Sequence, residues 1–153
     1  MNKMKYTTIG DIKVSQMALG CMTFYSPLSV EDSEYSMDYC LDKGLNLFDT
    51  ARLYGAWHNF PGALGVCERV MGDYFTKRKN RDRVVLATKG CHPDMSKMDD
   101  NRVCRKEIIA DLDESLKALQ TDYVDIWFLH RDHPDCDLYD VMRTLDEQVK
   151  AGK

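Results

Sequence analysis

The 153-residue sequence has no apolar run near the ~20 residues that cross a bilayer. No spanning helix is expected, and no membrane partner. Its first residues, "MNKMKYTTIG", lack the apolar centre of a signal peptide. Charge of one sign is also scarce. The net charge is −4, and Lys and Arg gather in no long block. This argues against nucleic acid or an anionic membrane as partner. The densest basic run, "TKRKNRDR" (76–83), reads as a solvated helix end. None of the six cysteines (21, 40, 67, 91, 104 and 136) forms a Cys-x-x-Cys pair, and their spacing shows no metal or disulfide framework. Free thiols in a reducing, cytoplasmic setting are expected. Repeats, linkers and low-complexity segments are missing as well, so the chain is one domain or part of one.

What remains is an alternation. "MKYTTIGDIKVSQ" reads as a small hairpin turning at "IGDI". "QMALGCMTF" is a strand that ends in a glycine-containing turn. "SVEDSEYSMDYCLDKG" is a helix, with Ser29 as its cap, Asp32 in its first turn and Gly44 at its stop. "LNLFDT" is the next strand, and the loop "ARLYGAWHNFPGALG" follows it. "VCERVMGDYFTKRK" is a helix with Val66, Val70 and Met71 on its apolar stripe. "RVVLATKG" is a strand. "CRKEIIADLDESLKALQ" is a helix, with Ile108, Leu112, Leu116 and Leu119 on one face. "DYVDIWFLH" is a strand, and "LYDVMRTLDEQVKAGK" a helix with Gly152 at its cap. Strands alternating with helices imply an α/β fold with a parallel sheet covered by helices.

In parallel α/β folds, sites assemble at the C-terminal strand edge. One strand ends at Asp49, with Tyr54 just beyond. The next ends at Lys89 and the last at His130. These four groups should converge. A free tyrosine, with a pKa near 10, is a poor proton donor at neutral pH. An ammonium beside it stabilises phenolate. A carboxylate holds the ammonium and offsets its desolvation. A histidine can orient a substrate carbonyl. The expectation is that Asp49 positions Lys89 and Lys89 tunes Tyr54, which protonates an oxygen as hydride arrives at its carbon.

The segments "LGCMTF" (19–24), "FDTARLYG" (48–55), "ATKG" (87–90) and "LKALQTDYVDIWFLHRD" (116–132) resemble the aldo-keto reductase family. The resemblance covers nearly the whole chain. It implies that Asp49, Tyr54, Lys89 and His130 are the catalytic tetrad. It implies a (β/α)8 TIM barrel whose floor is closed by the hairpin. It also implies NADP or NAD as cofactor and aldehydes, ketones or alcohols as small-molecule substrates. Cys21 and Met22, with Thr23 beside them, align with the loop that touches the nicotinamide side of the cofactor, as does Asp49.

Two departures bear on the reading. The loop after Tyr54 is longer than the family pattern and delays the matching Glu68 and Gly72, which bears on substrate choice. The chain also stops at "VKAGK". The family's Ser-Asn pair for the nicotinamide amide, and its phosphate-gripping residues, come later. Residues 1–153 are therefore expected to be the N-terminal part, about four βα units, of one barrel domain, inactive alone and prone to self-association. Two other classes stay open. "HRDHPDC" (130–136) offers His130, His133, Asp132, Asp135 and Cys136 to a metal-dependent hydrolase, although Pro134 argues against a helix there. A non-catalytic, reductase-like binding module is the third class.

Overall fold

The computed structural model describes residues 3–153. Two short antiparallel strands come first, β1 (Tyr6–Ile9) and β2 (Ile12–Ser15). Gly10 takes φ +57° at the turn between them, as a tight hairpin requires. Strand β3 (Ala18–Gly20), helix α1 (Val30–Asp42) and strand β4 (Leu47–Asp49) follow. Helix α2 (Val66–Arg78), strand β5 (Val85–Gly90), helix α3 (Arg105–Leu119), strand β6 (Ile126–Leu129) and helix α4 (Leu138–Lys150) complete the chain. The sheet order is β3-β4-β5-β6, and all neighbours are parallel. Element order agrees with the alternation in the sequence. The strands are shorter than their apolar runs, because pairing stops where the chain turns into the loops.

Local chemistry explains the helix ends. The Ser29 hydroxyl accepts from the Asp32 amide at 3.0 Å and donates to the Asp32 carboxylate at 2.7 Å. This satisfies a first-turn donor of α1. The Asp137 carboxylate does the same for α4, accepting from the amides of Tyr139 and Asp140. The basic run at 76–83 is a largely solvated helix end, with residues 76–79, 82 and 83 exposed. Lys77 pairs with Glu34 and Arg78 with Asp38. Arg81 is largely buried, pairs with Asp125 at 2.8 Å and lies over the Tyr123 ring. The same Asp125 carboxylate accepts from the Leu86 amide, so this corner ties β5 to the approach of β6.

Side chains alternate between the two faces of a strand. One face of the sheet carries Leu19, Phe48, Leu86, Thr88, Trp127 and Leu129. Phe48, Leu86 and Thr88 there are fully buried under the helices. The main core joins Phe48 and Leu86 to Met37, Val70, Met71, Tyr74, Phe75 and Leu119. The opposite face carries Leu47 and Asp49, then Val85, Ala87 and Lys89, then Ile126, Phe128 and His130. Val85 and Ala87 there are buried, whereas Phe128 is 46% exposed. The hairpin sits at the end of the sheet away from Asp49. There Ser15 and Asn46 bond each other through both side chains, and the Leu47 amide reaches the Ser15 hydroxyl.

Helices α2 and α3 cross at Gly72. A Cβ there would lie 2.3 Å from the Ala118 carbonyl oxygen and 2.8 Å from the Leu119 carbonyl carbon. Both are backbone atoms, so relief requires the helices to part. Gly72→Ala is expected to destabilise the chain by ~1–3 kcal/mol or more. Urea denaturation measures this, and an unchanged midpoint would contradict the tight crossing.

Candidate active site

Strand register brings the chemistry together. Asp49 is level with Ala87, and Lys89 is level with Phe128. Backbone bonds continue the ladder past the strand ends. The Cys21 amide donates to the Asp49 carbonyl, Thr50 to Ala87, Arg52 to Lys89 and His130 to Gly90, at 2.8–3.0 Å. These bonds set the loop roots rigidly at one rim.

Lys89 is the hub. Its ammonium donates to the Asp49 carboxylate at 2.7 Å, to the Thr50 carbonyl at 2.7 Å and to the Tyr54 phenol oxygen at 3.1 Å. An ammonium has three hydrogens, so each has a partner and the group is fixed. The phenol of Tyr54 accepts from Lys89, which leaves its own O–H free to donate elsewhere. Gly55 makes this placement possible. Its φ is +101°, and a Cβ there would meet Val66 at 2.3 Å and the Ala63 carbonyl at 2.6 Å.

The His130 ring stands edge-on to Tyr54, with centroids 6.0 Å apart. Burial, reinforced by His92 and Lys89, pushes its pKa down to about 4. His130 is therefore uncharged at neutral pH and can offer a hydrogen bond but no formal charge. Met22 is exposed, whereas Cys21 is fully buried with its thiol against the Leu19 carbonyl. Burial raises the Cys21 thiol well above its ordinary range. Cys21 thus turns its sulfur away from the rim, and its amide is taken up by the Asp49 carbonyl. His133 lies beyond His130, with its Nδ1 near the Asp135 amide. Among the described residues, no group of three or more His, Cys, Asp or Glu side chains is placed to hold a metal ion.

Several supporting groups carry no signal in the strand-end pattern. Asp111 of α3 is buried. It accepts from the Cys91 amide at 2.7 Å and from Arg102 at 2.8 Å, and pairs with Arg52 at 3.3 Å. Arg52 and Arg102 also bond Glu114 and Glu107 respectively. A buried carboxylate needs such partners. Arg52 lies inside the quoted "FDTARLYG" run, but its partners come from a helix some 60 residues later and are invisible in sequence. The second such group is His92, whose ring meets His130 with centroids 4.9 Å apart. Its place just past Lys89, in "TKGCHP", was the available clue. A cleft of about 550 Å³ lies beside the rim, bordered by His58, Phe60, Lys89, His92 and Met95 among others.

The sequence model of the Aldo/keto reductase family matches residues 16–153. The chain is 31% identical to Protein tas of Escherichia coli over 93% of its own length and 47% of that protein. It is 30% identical to Aldo-keto reductase YhdN of Bacillus subtilis, over 98% of this chain and 45% of that one. Among solved structures, it superposes on aldo-keto reductase AKR11C1 from Bacillus halodurans (holo form) with a TM-score of 0.78 and 28% identity. That match covers 97% of this chain and 47% of the other. The chain belongs to the aldo/keto reductase family. Its fold corresponds to the first half of the family's (β/α)8 barrel, with the N-terminal hairpin. It spans about half the length of the curated relatives it matches.

Behind Lys89, on the helix side of β5, the Thr88 hydroxyl donates to the buried Glu68 carboxyl at 2.6 Å. Burial pushes Glu68 up from 4.5 to about 7, against that hydrogen bond, which lowers it. Below pH 4.5 both folded and unfolded chains hold this proton. Between 4.5 and 7 only the folded chain does, so this group's stabilising contribution is lost as pH rises through that window. The loss is roughly 3 kcal/mol at most. Glu68→Gln should flatten stability against pH over that window relative to wild type. Parallel slopes in urea titrations of both chains would contradict the protonated carboxyl.

Proposed function

We propose that the protein bearing this chain is an NAD(P)(H)-dependent oxidoreductase that interconverts aldehydes or ketones and alcohols. One observation carries the reading: Lys89 bonds both Asp49 and Tyr54 at a rim where an uncharged His130 faces the same phenol. The Tyr54 O–H, released by the Lys89 bond from any need to face it, donates to a substrate oxygen. As that proton leaves, the Lys89 ammonium stabilises the phenolate, and Asp49 holds the ammonium in position. His130 supplies a second hydrogen bond that orients the carbonyl. A bound nicotinamide cofactor supplies or accepts the hydride. The residues present fit such a partner: exposed Met22 and the partly exposed Asp49 carboxylate would border its nicotinamide end, with buried Cys21 beneath them.

We read residues 1–153 as the N-terminal part of one barrel domain, on the support of relatives about twice as long. The cytoplasm is the setting that six unpaired cysteines suit. On this reading the 153-residue chain by itself gives no nicotinamide-dependent turnover. It also self-associates through the open edges of β3 and β6 and the uncovered inner face. Light scattering and a cofactor titration check both points. A monomer that binds NADPH at micromolar concentration would contradict them.

In a completed barrel, Tyr54→Phe should lower carbonyl reduction by ~10²–10⁴-fold or more while stability holds. Nicotinamide absorbance follows the reaction, and near wild-type turnover in a folded variant would refute the assignment. His130→Asn should damage turnover, whereas His133→Asn should leave most of it. The reverse pattern would move the site to the loop after β6. The metal-hydrolase reading is told apart by activity that a chelator removes.

A further inference from the structure

The His92 ring packs edge-to-face with the His130 ring, which also meets Tyr54, and His92 lies in no motif of the site. Its placement is heavily determined. Cys91, just before it, adopts φ +63°, a left-handed conformation that a residue with a Cβ adopts only under constraint. The Cys91 amide donates to Asp111 at 2.7 Å, and Arg102 donates to the His92 carbonyl at 2.7 Å. Arg102 is itself held by Asp111 and Glu107. The His92 ring is fixed too. Its Nδ1 lies 2.7 Å from the Pro93 carbonyl. A carbonyl only accepts, so Nδ1 carries the proton and donates. The ring that results stands at 75° to His130 with centroids 4.9 Å apart. The Nδ1 of His130 is buried and has no hydrogen-bond partner among the described residues.

An imidazolium at His130 would need a proton on that dry nitrogen with nothing to receive it. We propose that His92 is a positioning residue for His130: its ring closes the dry side of the His130 imidazole and keeps it an uncharged hydrogen-bond donor at the rim. The proposal rests on the reading of His130 as the group that orients the substrate oxygen. Other charges face His130. Lys89 and Arg131 act in the same direction as His92, Asp49 acts against them, and Tyr54 stands edge-on. Burial is the largest influence, which is why the shape of residue 92 should matter more than its charge.

The test is a pH titration of the imidazole ¹H–¹⁵N resonances in a completed barrel that contains this chain, with His130 assigned by comparison with His130→Gln. In wild type, His130 should stay neutral to well below its ordinary 6.5, with a midpoint of about 4. In His92→Ala, water reaches Nδ1 and the midpoint should rise by roughly one pH unit or more, about tenfold in the proton-binding constant. His92→Phe keeps an aromatic wall without a titrating group, so its midpoint should stay near wild type. A wild-type midpoint near 6.5 would overturn the proposal. So would an unmoved midpoint in His92→Ala, or a His92→Phe midpoint that moves as far as that of His92→Ala. If His92→Ala does not fold, wild type and His92→Phe still decide. None of these readings depends on turnover, so a failure of the carbonyl-reductase reading and a failure of this one are separately visible.

Discussion

The ammonium of Lys89 is the point on which the rim depends. It has three hydrogens and three acceptors, one from a strand end, one from the backbone beyond it and one from a loop tyrosine. No rotamer freedom remains once all are made. The ion pair with Asp49 is partly exposed, so its Coulombic worth to stability is small. Its effect is geometric. It sets Tyr54, whose hydroxyl has no other polar anchor among the described residues, at a fixed distance from the Lys89 ammonium.

The sheet delivers that geometry through register and alternation. Asp49, Lys89 and His130 share a face because strand side chains repeat every second residue and the parallel pairing is in step. The opposite face of β5 is equally constrained, but from behind. Thr88 is tied to Glu68 of α2, and the Cys91 and Lys89 backbones to Asp111 and Arg52. A rigid rim therefore stands on a buried polar layer between the sheet and helices α2 and α3. Such layers cost desolvation and are kept where positions matter.

Much of this was legible in the sequence, and for definite reasons. Asp49, Lys89 and His130 each end an apolar run, where a charge marks the loss of cover, and Tyr54 follows at a glycine. Helix limits were legible at Ser29 and Gly44 because caps are local chemistry. Cys21 was only half legible. It follows Gly20 of the inner face, so alternation turns its thiol toward the helices, a consequence of register that its place in the motif does not reveal. The Arg52–Asp111–Arg102 layer and the His92–His130 contact were not legible. Arg52 and Asp111 are 59 positions apart and His92 and His130 are 38 apart, each pair across different βα units, and nothing local encodes such pairings. Within the solvated basic run at 76–83, the inward turn of Arg81 was not legible either, since its partners come from the next unit.

The most direct measurement of the central claim is turnover of a carbonyl compound by a completed barrel carrying Lys89→Met, set beside its thermal unfolding. The side chain of methionine fills much of the same space but cannot bond Asp49, Thr50 or Tyr54. The account expects turnover to fall by ~10²-fold or more with little change in unfolding temperature. A folded Lys89→Met barrel that reduces carbonyls near the wild-type rate would contradict it.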